Sequence, residues 1–553
     1  MRKGGDSYDA VYRDFRWDIP ARYNIGVDIC DKWVAKGEGD RLALIHETAD
    51  GAVETYSFAR LKSLSDRFAC ALRRLGLARG ERLAILLAQG PETAVAHIAA
   101  YKLGVVVMPL FTLFGPDALE FRLANSGAKA IISDSENLAK VTPLLDRLPA
   151  LEILISTDGG AGGAGGDAAH DYGGLIDGAA DGLVPLDTAA EDPAMIVYTS
   201  GTTGPPKGAL HAHRVLLGHL PGIQAHHEHF PQEGDLCWTP ADWAWVGGLL
   251  NVVFPAWHYG VPVVANRRGK FDGARAFELI ARHGVRNCFL PPTALKMMRQ
   301  VADPAPVNLR SVGSGGESLG TDLLAWGEAV LGLTINEFYG QTEANLILSN
   351  RAGLMPVKAG SMGRPVPGHE VAVVDEAGAV LDIGHVGQVA VRRPDPVMFL
   401  EYWDDAPATA DKFIGDWCLT GDLARVDEDG YFWFVGRNDD VITSAGYRIG
   451  PAEIEDCLMK HPAVAMAAAV GIPDAMRTEI IKAFIVPAPG IVGTENLARD
   501  IQDHVKSQLA AHEYPRQVEF VTELPLTATG KIMRRLLRDR EITPMQPEAG
   551  DDP

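Results

Sequence analysis

The chain reads Tyr-Thr-Ser-Gly-Thr-Thr-Gly-Pro-Pro-Lys-Gly over residues 198–208, directly after an apolar, strand-like run at 194–197. Glycines let backbone N–H groups turn inward, Thr199, Ser200, Thr202 and Thr203 add hydroxyl donors, and Lys207 adds a point charge, so the chemistry suits a phosphate oxyanion. The Walker pattern G-x-x-x-x-G-K-[ST] does not fit. Counted from Gly201, Pro206 stands where the second glycine belongs, and Gly208 follows the lysine. Two histidine groups, His211 with His213 and His226, His227 with His229, match no standard zinc spacing. They predict a solvent-exposed, histidine-rich helix. Lys531 lies in Gly-Lys-Ile-Met-Arg-Arg, a basic stretch that in isolation also fits a charged helix face.

Something must position these residues. A chain of 553 residues exceeds one ordinary core, and about one domain per 150 residues suggests two to four folding units. Helical spacing at 58–77 is followed by a strand at 82–88, and apolar strands recur at 130–133 and 151–156, as in α/β units around a largely parallel sheet. The most apolar window, 94–111, is interrupted by His97 and Lys102 and reads as a helix running into a buried strand, with no membrane span. Residues 159–166 contain a G-x-G-x-x-G match at Gly160, Gly162 and Gly165, but no amphipathic helix follows and a surface insertion is expected. From Gly368 short strands and turns suggest a β-rich subdomain. After 439, a helix opened by Pro451, two strand runs, a helix near 497–509 and the basic tail suggest a small α+β domain.

Lys+Arg 51 against Asp+Glu 72 gives a net charge of −21, which argues against nucleic acid or an anionic membrane surface as partner. The six cysteines form no C-x-x-C pair and read as reduced thiols, and the N-terminus lacks an apolar signal core, so a cytoplasmic location is expected.

The loop 199–208, Gly316-Glu317-Ser318, Glu337-Phe338-Tyr339-Gly340-Gln341-Thr342-Glu343, Thr420-Gly421-Asp422, Gly436-Arg437-Asn438-Asp439-Asp440, Ser444-Ala445-Gly446-Tyr447-Arg448 and Thr529-Gly530-Lys531 occur in one order and spacing. Over roughly residues 25–540 this resembles the AMP-forming acyl-CoA synthetases of the adenylate-forming superfamily, closest to acetyl- and medium-chain enzymes. The resemblance implies an α/β fold: an N-terminal AMP-binding domain, 1–438, of α/β subdomains plus a β-rich subdomain, and a small mobile α+β domain, 439–553. It implies activation of a carboxylic acid by ATP to an acyl adenylate with loss of pyrophosphate, then displacement of AMP by CoA, with ATP, Mg2+ and CoA as cofactors.

By the same resemblance Thr199, Ser200, Gly201, Thr202, Thr203 and Lys207 wrap the terminal phosphates. Gly316, Glu317, Ser318, Glu337, Phe338, Tyr339, Gly340 and Gln341 form the adenine side of the ATP site. Thr342 touches the α-phosphate, Glu343 holds the metal, Asp422 binds the ribose hydroxyls, and Arg437 adds a nearby cation. Lys531 is the implied catalytic lysine of adenylation. A lysine acetyltransferase and deacetylase acting on it are possible partners. Asp439 is the implied hinge, with Ala445, Gly446 and Arg448 on the CoA side. Ala344-Asn345 departs from the family pattern after Thr-Glu. For the acid, Trp243, Gly247, Gly248 and Gly340 are expected at the acyl pocket. Acetyl-CoA synthetases carry a tryptophan at the position of Gly340, so glycine is read as leaving room for a short- to medium-chain, branched or aromatic acid. Acetate, transfer to a carrier protein in place of CoA, and a non-catalytic nucleotide-binding module stay as alternatives.

Overall fold

The computed structural model describes residues 7–48, 50–159, 169–199, 205–266, 269–317, 319–437, 440, 442–444, 447–474, 478–509, 514–527 and 532–542. Compactness divides the chain into two units, Met1–Val371 with Val391–Thr420, and Ala372–Ala390 with Gly421–Pro553.

The larger unit holds two sheets. The eight-stranded sheet runs Glu401–Tyr402, Lys207–Ala212, Pro193–Thr199, Val106–Pro109, Arg82–Leu86, Ala130–Ser133, Ile153–Ser156, Ala169–Asp171. From Pro193–Thr199 onward the pairing is parallel, whereas Lys207–Ala212 turns back antiparallel on Pro193–Thr199. Its inner strands are buried throughout, as strands covered on both faces must be. The nine-stranded sheet runs Arg364–Pro365, Ala344–Ser349, Asn336–Gln341, Ser311–Ser314, Asn287–Phe289, Cys237–Trp238, Val263–Asn266, Leu42–Glu47, Val53–Ser57, with antiparallel hairpins at its edges and parallel strands between.

Helices follow local signals. Phe58–Arg74 starts at Ser57, whose side chain accepts from the Arg60 N–H, and Gly273–His283 starts at Asp272 and stops at left-handed Gly284. Pro91–Lys102 is buried at every position but half-buried Glu92, with proline at its first position. It ends in fully buried Lys102, whose ammonium sits 2.6 Å from Asp31 and 2.7 Å from Asp66. A charge this deep persists only when paired.

In the smaller unit, Val464–Asp474 and Thr478–Pro487 form a long antiparallel pair, joined in parallel by Gln517–Phe520. The hairpin Ile442–Ser444 and Tyr447–Ile449 and the helices Pro451–Leu458, Glu495–Gln508 and Arg534–Ile542 belong to this unit, as does the strand Phe432–Arg437. Among the described residues no helix is long and apolar enough to cross a membrane. All but the first residue of the insertion expected at 159–166 lies outside the described residues.

Candidate active site

Strand Pro193–Thr199 carries its apolar side chains into the core and delivers Thr199 to its end; the chain returns at Lys207, directly opposite Thr199 in register. The Thr199 hydroxyl donates to the Lys207 carbonyl at 3.3 Å. Ser200, Gly201, Thr202 and Thr203 lie outside the described residues. The ammonium of Lys207 stands over the ring of Tyr402, 5.3 Å from its centroid. Tyr402 pairs with Ala209 on the other side of the same strand, so sheet register sets this contact.

The second half comes from the hairpin Asn336–Gln341 and Ala344–Ser349, with Thr342 and Glu343 at its turn. Glu343 is buried, and the Tyr402 hydroxyl donates to its Oε1. The Phe399 N–H donates to the Glu343 carbonyl at 2.8 Å. Gln341 is held from both ends of its amide: Nε2 donates to the Thr420 carbonyl at 2.9 Å, and Lys412 Nζ donates to Oε1 at 3.1 Å. Thr342 is half-buried, and burial pushes the His211 imidazole down to about 3. The Leu319 N–H donates to buried Glu337 at 3.3 Å. Tyr339 and Glu317 are half-buried, and Ser318 lies outside the described residues.

Packing describes several of these residues. Phe338 is buried and stacked on His226, ring centroids 4.7 Å apart. Trp243 is also core, edge-on to Trp257; its neighbour Trp245 is half-buried, and a Cβ on Gly316 would lie 3.4 Å from its ring. Gly340 does not simply leave room. A Cβ there would stand 2.2 Å from the Leu346 nitrogen, so the returning strand itself requires the glycine. Gly247 and Gly248 are packing glycines of the same kind, against Trp245 with Phe289 and against the Asp242 carbonyl. The histidines do not form one exposed helix: His211 lies in the strand Lys207–Ala212 and His213 just beyond it, His211, His213, His219, His226 and His227 are buried, and His229 is exposed. Val215–His226 has an almost wholly apolar surface and packs in the core, carrying its histidines inward as neutral rings.

In the smaller unit Asp422 and Arg437 are partners in an antiparallel pair, with Nη1 3.1 Å from Oδ1. Arg448 pairs with Thr443 in its hairpin. Asp439, Ala445, Gly446 and Lys531 lie outside the described residues. The flanks of the Lys531 segment are described: Leu526 bridges Ile532, and the Met533 N–H donates to the Pro525 carbonyl at 2.8 Å.

Tyr402 is the site residue that sequence reasoning missed. In Leu-Glu-Tyr-Trp it reads as ordinary edge strand, and only its register beside Lys207 distinguishes it.

A strand leading into a glycine- and hydroxyl-rich segment, a buried hairpin carboxylate and an α+β unit fit an adenylate-forming type of enzyme. The AMP-binding enzyme family model matches residues 31–403 and that family's C-terminal domain model matches 453–531, so the chain belongs to the AMP-binding enzyme family. It is 36% identical over 551 residues to the human mitochondrial acyl-coenzyme A synthetase ACSM4, covering 97% of this chain and 93% of the relative. It is 34% identical over 552 residues to the acetyl-coenzyme A synthetase of Bacillus subtilis, covering 97% and 95%. The structure is similar to that of the anthranilate CoA ligase AuaEII in complex with anthranoyl-AMP, with a TM-score of 0.85, 30% identity and coverage of 95% and 98%. The chain is an AMP-forming acid–CoA ligase that works with ATP, Mg2+ and CoA.

Proposed function

We propose that the acid is a short- to medium-chain monocarboxylate, branched and aromatic acids included, activated as its adenylate and passed to CoA. The observation that supports the adenylation step of this reading is the convergence of Lys207 and Glu343 on Tyr402, one a cation for phosphate and the other a buried carboxylate; the range of acids rests on the resemblance to medium-chain enzymes. Magnesium prefers one or two carboxylates, several waters and substrate phosphates over a closed protein cage, and Glu343 supplies a hard oxygen of that kind. Bound there, the ion would neutralise charge on the triphosphate oxygens.

The chain's own residues do the rest by positioning. The residues 199–203 and Lys207 hold the terminal phosphates, with Thr342 at the α-phosphate. Gly316, Glu317, Ser318, Glu337, Tyr339, Gly340 and Gln341 bound the nucleotide, while Phe338 supports that wall from the core. Asp422 offers two acceptors to the ribose hydroxyls, with Arg437 paired to it at 3.1 Å. Lys531 neutralises charge developing between carboxylate and α-phosphorus, so its acetylation by a lysine acetyltransferase would stop the first step. The segment 439–553 turns about Asp439 to bring Ala445, Gly446 and Arg448 to CoA. Trp245, with Gly247 packed against its ring, faces the acid, with Trp243, Gly248 and Gly340 nearby in the proposed pocket.

Acetate is the second reading, favoured by the name of the Bacillus subtilis relative. CoA-dependent AMP formation across acetate, propionate, butyrate, isobutyrate, hexanoate, octanoate and benzoate decides. A peak beyond propionate supports the proposal, and a peak at acetate replaces it.

A further inference from the structure

One phenol addresses both halves of the candidate ATP site. The Tyr402 hydroxyl donates to Glu343 Oε1, and the face of its ring lies under Lys207 Nζ at 5.3 Å. Tyr402 is buried, paired to Ala209 in the strand Lys207–Ala212, and its own N–H donates to Thr409 Oγ1 at 2.9 Å. Phe399, three residues earlier, donates its N–H to the Glu343 carbonyl at 2.8 Å. One short segment, 399–402, therefore holds the main chain and the side chain of Glu343 and underlies the phosphate lysine.

A buried carboxylate has two oxygens and about four acceptor sites. A neutral donor at one oxygen fixes the rotamer without cancelling the charge, which leaves the other oxygen for a hard cation. An aromatic face below an ammonium restrains a long, flexible side chain without neutralising it. We propose that Tyr402 is a positioning residue for Mg·ATP, its hydroxyl aiming Glu343 at the metal and its ring aiming Lys207 at the phosphates. This rests on the reading of Glu343 and Lys207 given above.

Two substitutions separate the two contributions. Tyr402→Phe removes the hydroxyl and keeps the ring; Tyr402→Leu removes both. The measurement is the calorimetric dissociation constant of ATP with and without Mg2+, in the absence of any acid, so that no turnover contributes. For Tyr402→Phe the metal-free constant stays within about twofold of wild type, and the tightening caused by Mg2+ shrinks by about tenfold, as expected for one hydrogen bond to a charged group. For Tyr402→Leu the metal-free constant also weakens, by about two- to fivefold. If Tyr402→Leu does not fold, Tyr402→Phe decides alone. A wild-type response to Mg2+ in Tyr402→Phe overturns the proposal. So does an equal loss in both variants that tracks a drop in melting temperature, the mark of packing alone. A wild-type chain that binds no ATP under either condition overturns the reading of the site itself, and this proposal with it.

Discussion

Arg534 grips Glu455 with two arms of its guanidinium, Nε to Oε1 at 2.8 Å and Nη2 to Oε2 at 2.6 Å, while Nη1 reaches Asp440 at 3.3 Å. Glu455 Oε1 also accepts from the Ala469 N–H at 2.9 Å. The first turn of Arg534–Ile542, the helix Pro451–Leu458 and the residue after Asp439 are thereby tied together. Lys531 is three residues from this anchor in sequence. These acids also hold the guanidinium above its ordinary pKa.

Removing one partner leaves a poorly solvated charge behind, so Arg534→Ala and Glu455→Ala should each destabilise the smaller unit by about 3–5 kcal/mol. Urea unfolding followed by a probe in that unit checks this. A cost below about 1 kcal/mol would mean that the pair behaves as an ordinary surface contact.

Acid should weaken the whole protein through its buried histidines. Burial pushes His97, His211 and His226 down to about 3 and His213 and His219 down to about 4. Each folded value lies below that of the free side chain, so the unfolded chain binds the proton more strongly. Their contribution is complete above about pH 6.5 and falls by about 1.4 kcal/mol per histidine per pH unit as pH drops toward the folded values. Melting temperature should fall steeply between pH 6.5 and 5. A flat profile would contradict the neutral, buried assignment.

Asp242 has the opposite sign. Burial pushes its carboxyl up to about 6, partly opposed by the Ala244 N–H. Its folded value exceeds the unfolded one, so its contribution is present in acid and lost as pH rises through 6. Asp242→Asn keeps an acceptor for that N–H and should stabilise the protein at pH 8 by on the order of 1–3 kcal/mol, with little gain at pH 4. Equal gains at both values would exclude ionisation as the cause.

Gly340→Ala separates pocket from packing. With a Cβ placed 2.2 Å from the Leu346 nitrogen, the account predicts a loss of about 1–3 kcal/mol in stability. Unchanged stability with a shortened range of accepted acids would restore the sequence reading of Gly340 as open space.

Much of the fold was legible because periodicity is a local property. The strand at 130–133 appears unchanged as Ala130–Ser133, and the helix expected at 58–77 as Phe58–Arg74. The order of the motifs also identified the family. What sequence could not give was the direction of side chains set by long-range register. Phe338 and Trp243 carry the residue types of a ligand pocket and lie in the core. His226 belongs to a polar-looking run, yet the apolar helix around it turns it inward. Tyr402 carries no motif of its own and gains its place from strand pairing with Ala209, nearly two hundred positions earlier.

The central claim is that acid activation precedes and is separable from transfer to CoA. Enzyme in excess over radiolabelled ATP, with Mg2+ and butyrate and without CoA, gives the most direct test. The account predicts release of pyrophosphate with an acyl adenylate held on the protein, then AMP and butyryl-CoA when CoA is added, and loss of the first burst in Lys531→Ala. Pyrophosphate that appears only after CoA is added, or a full first burst in Lys531→Ala, would contradict it.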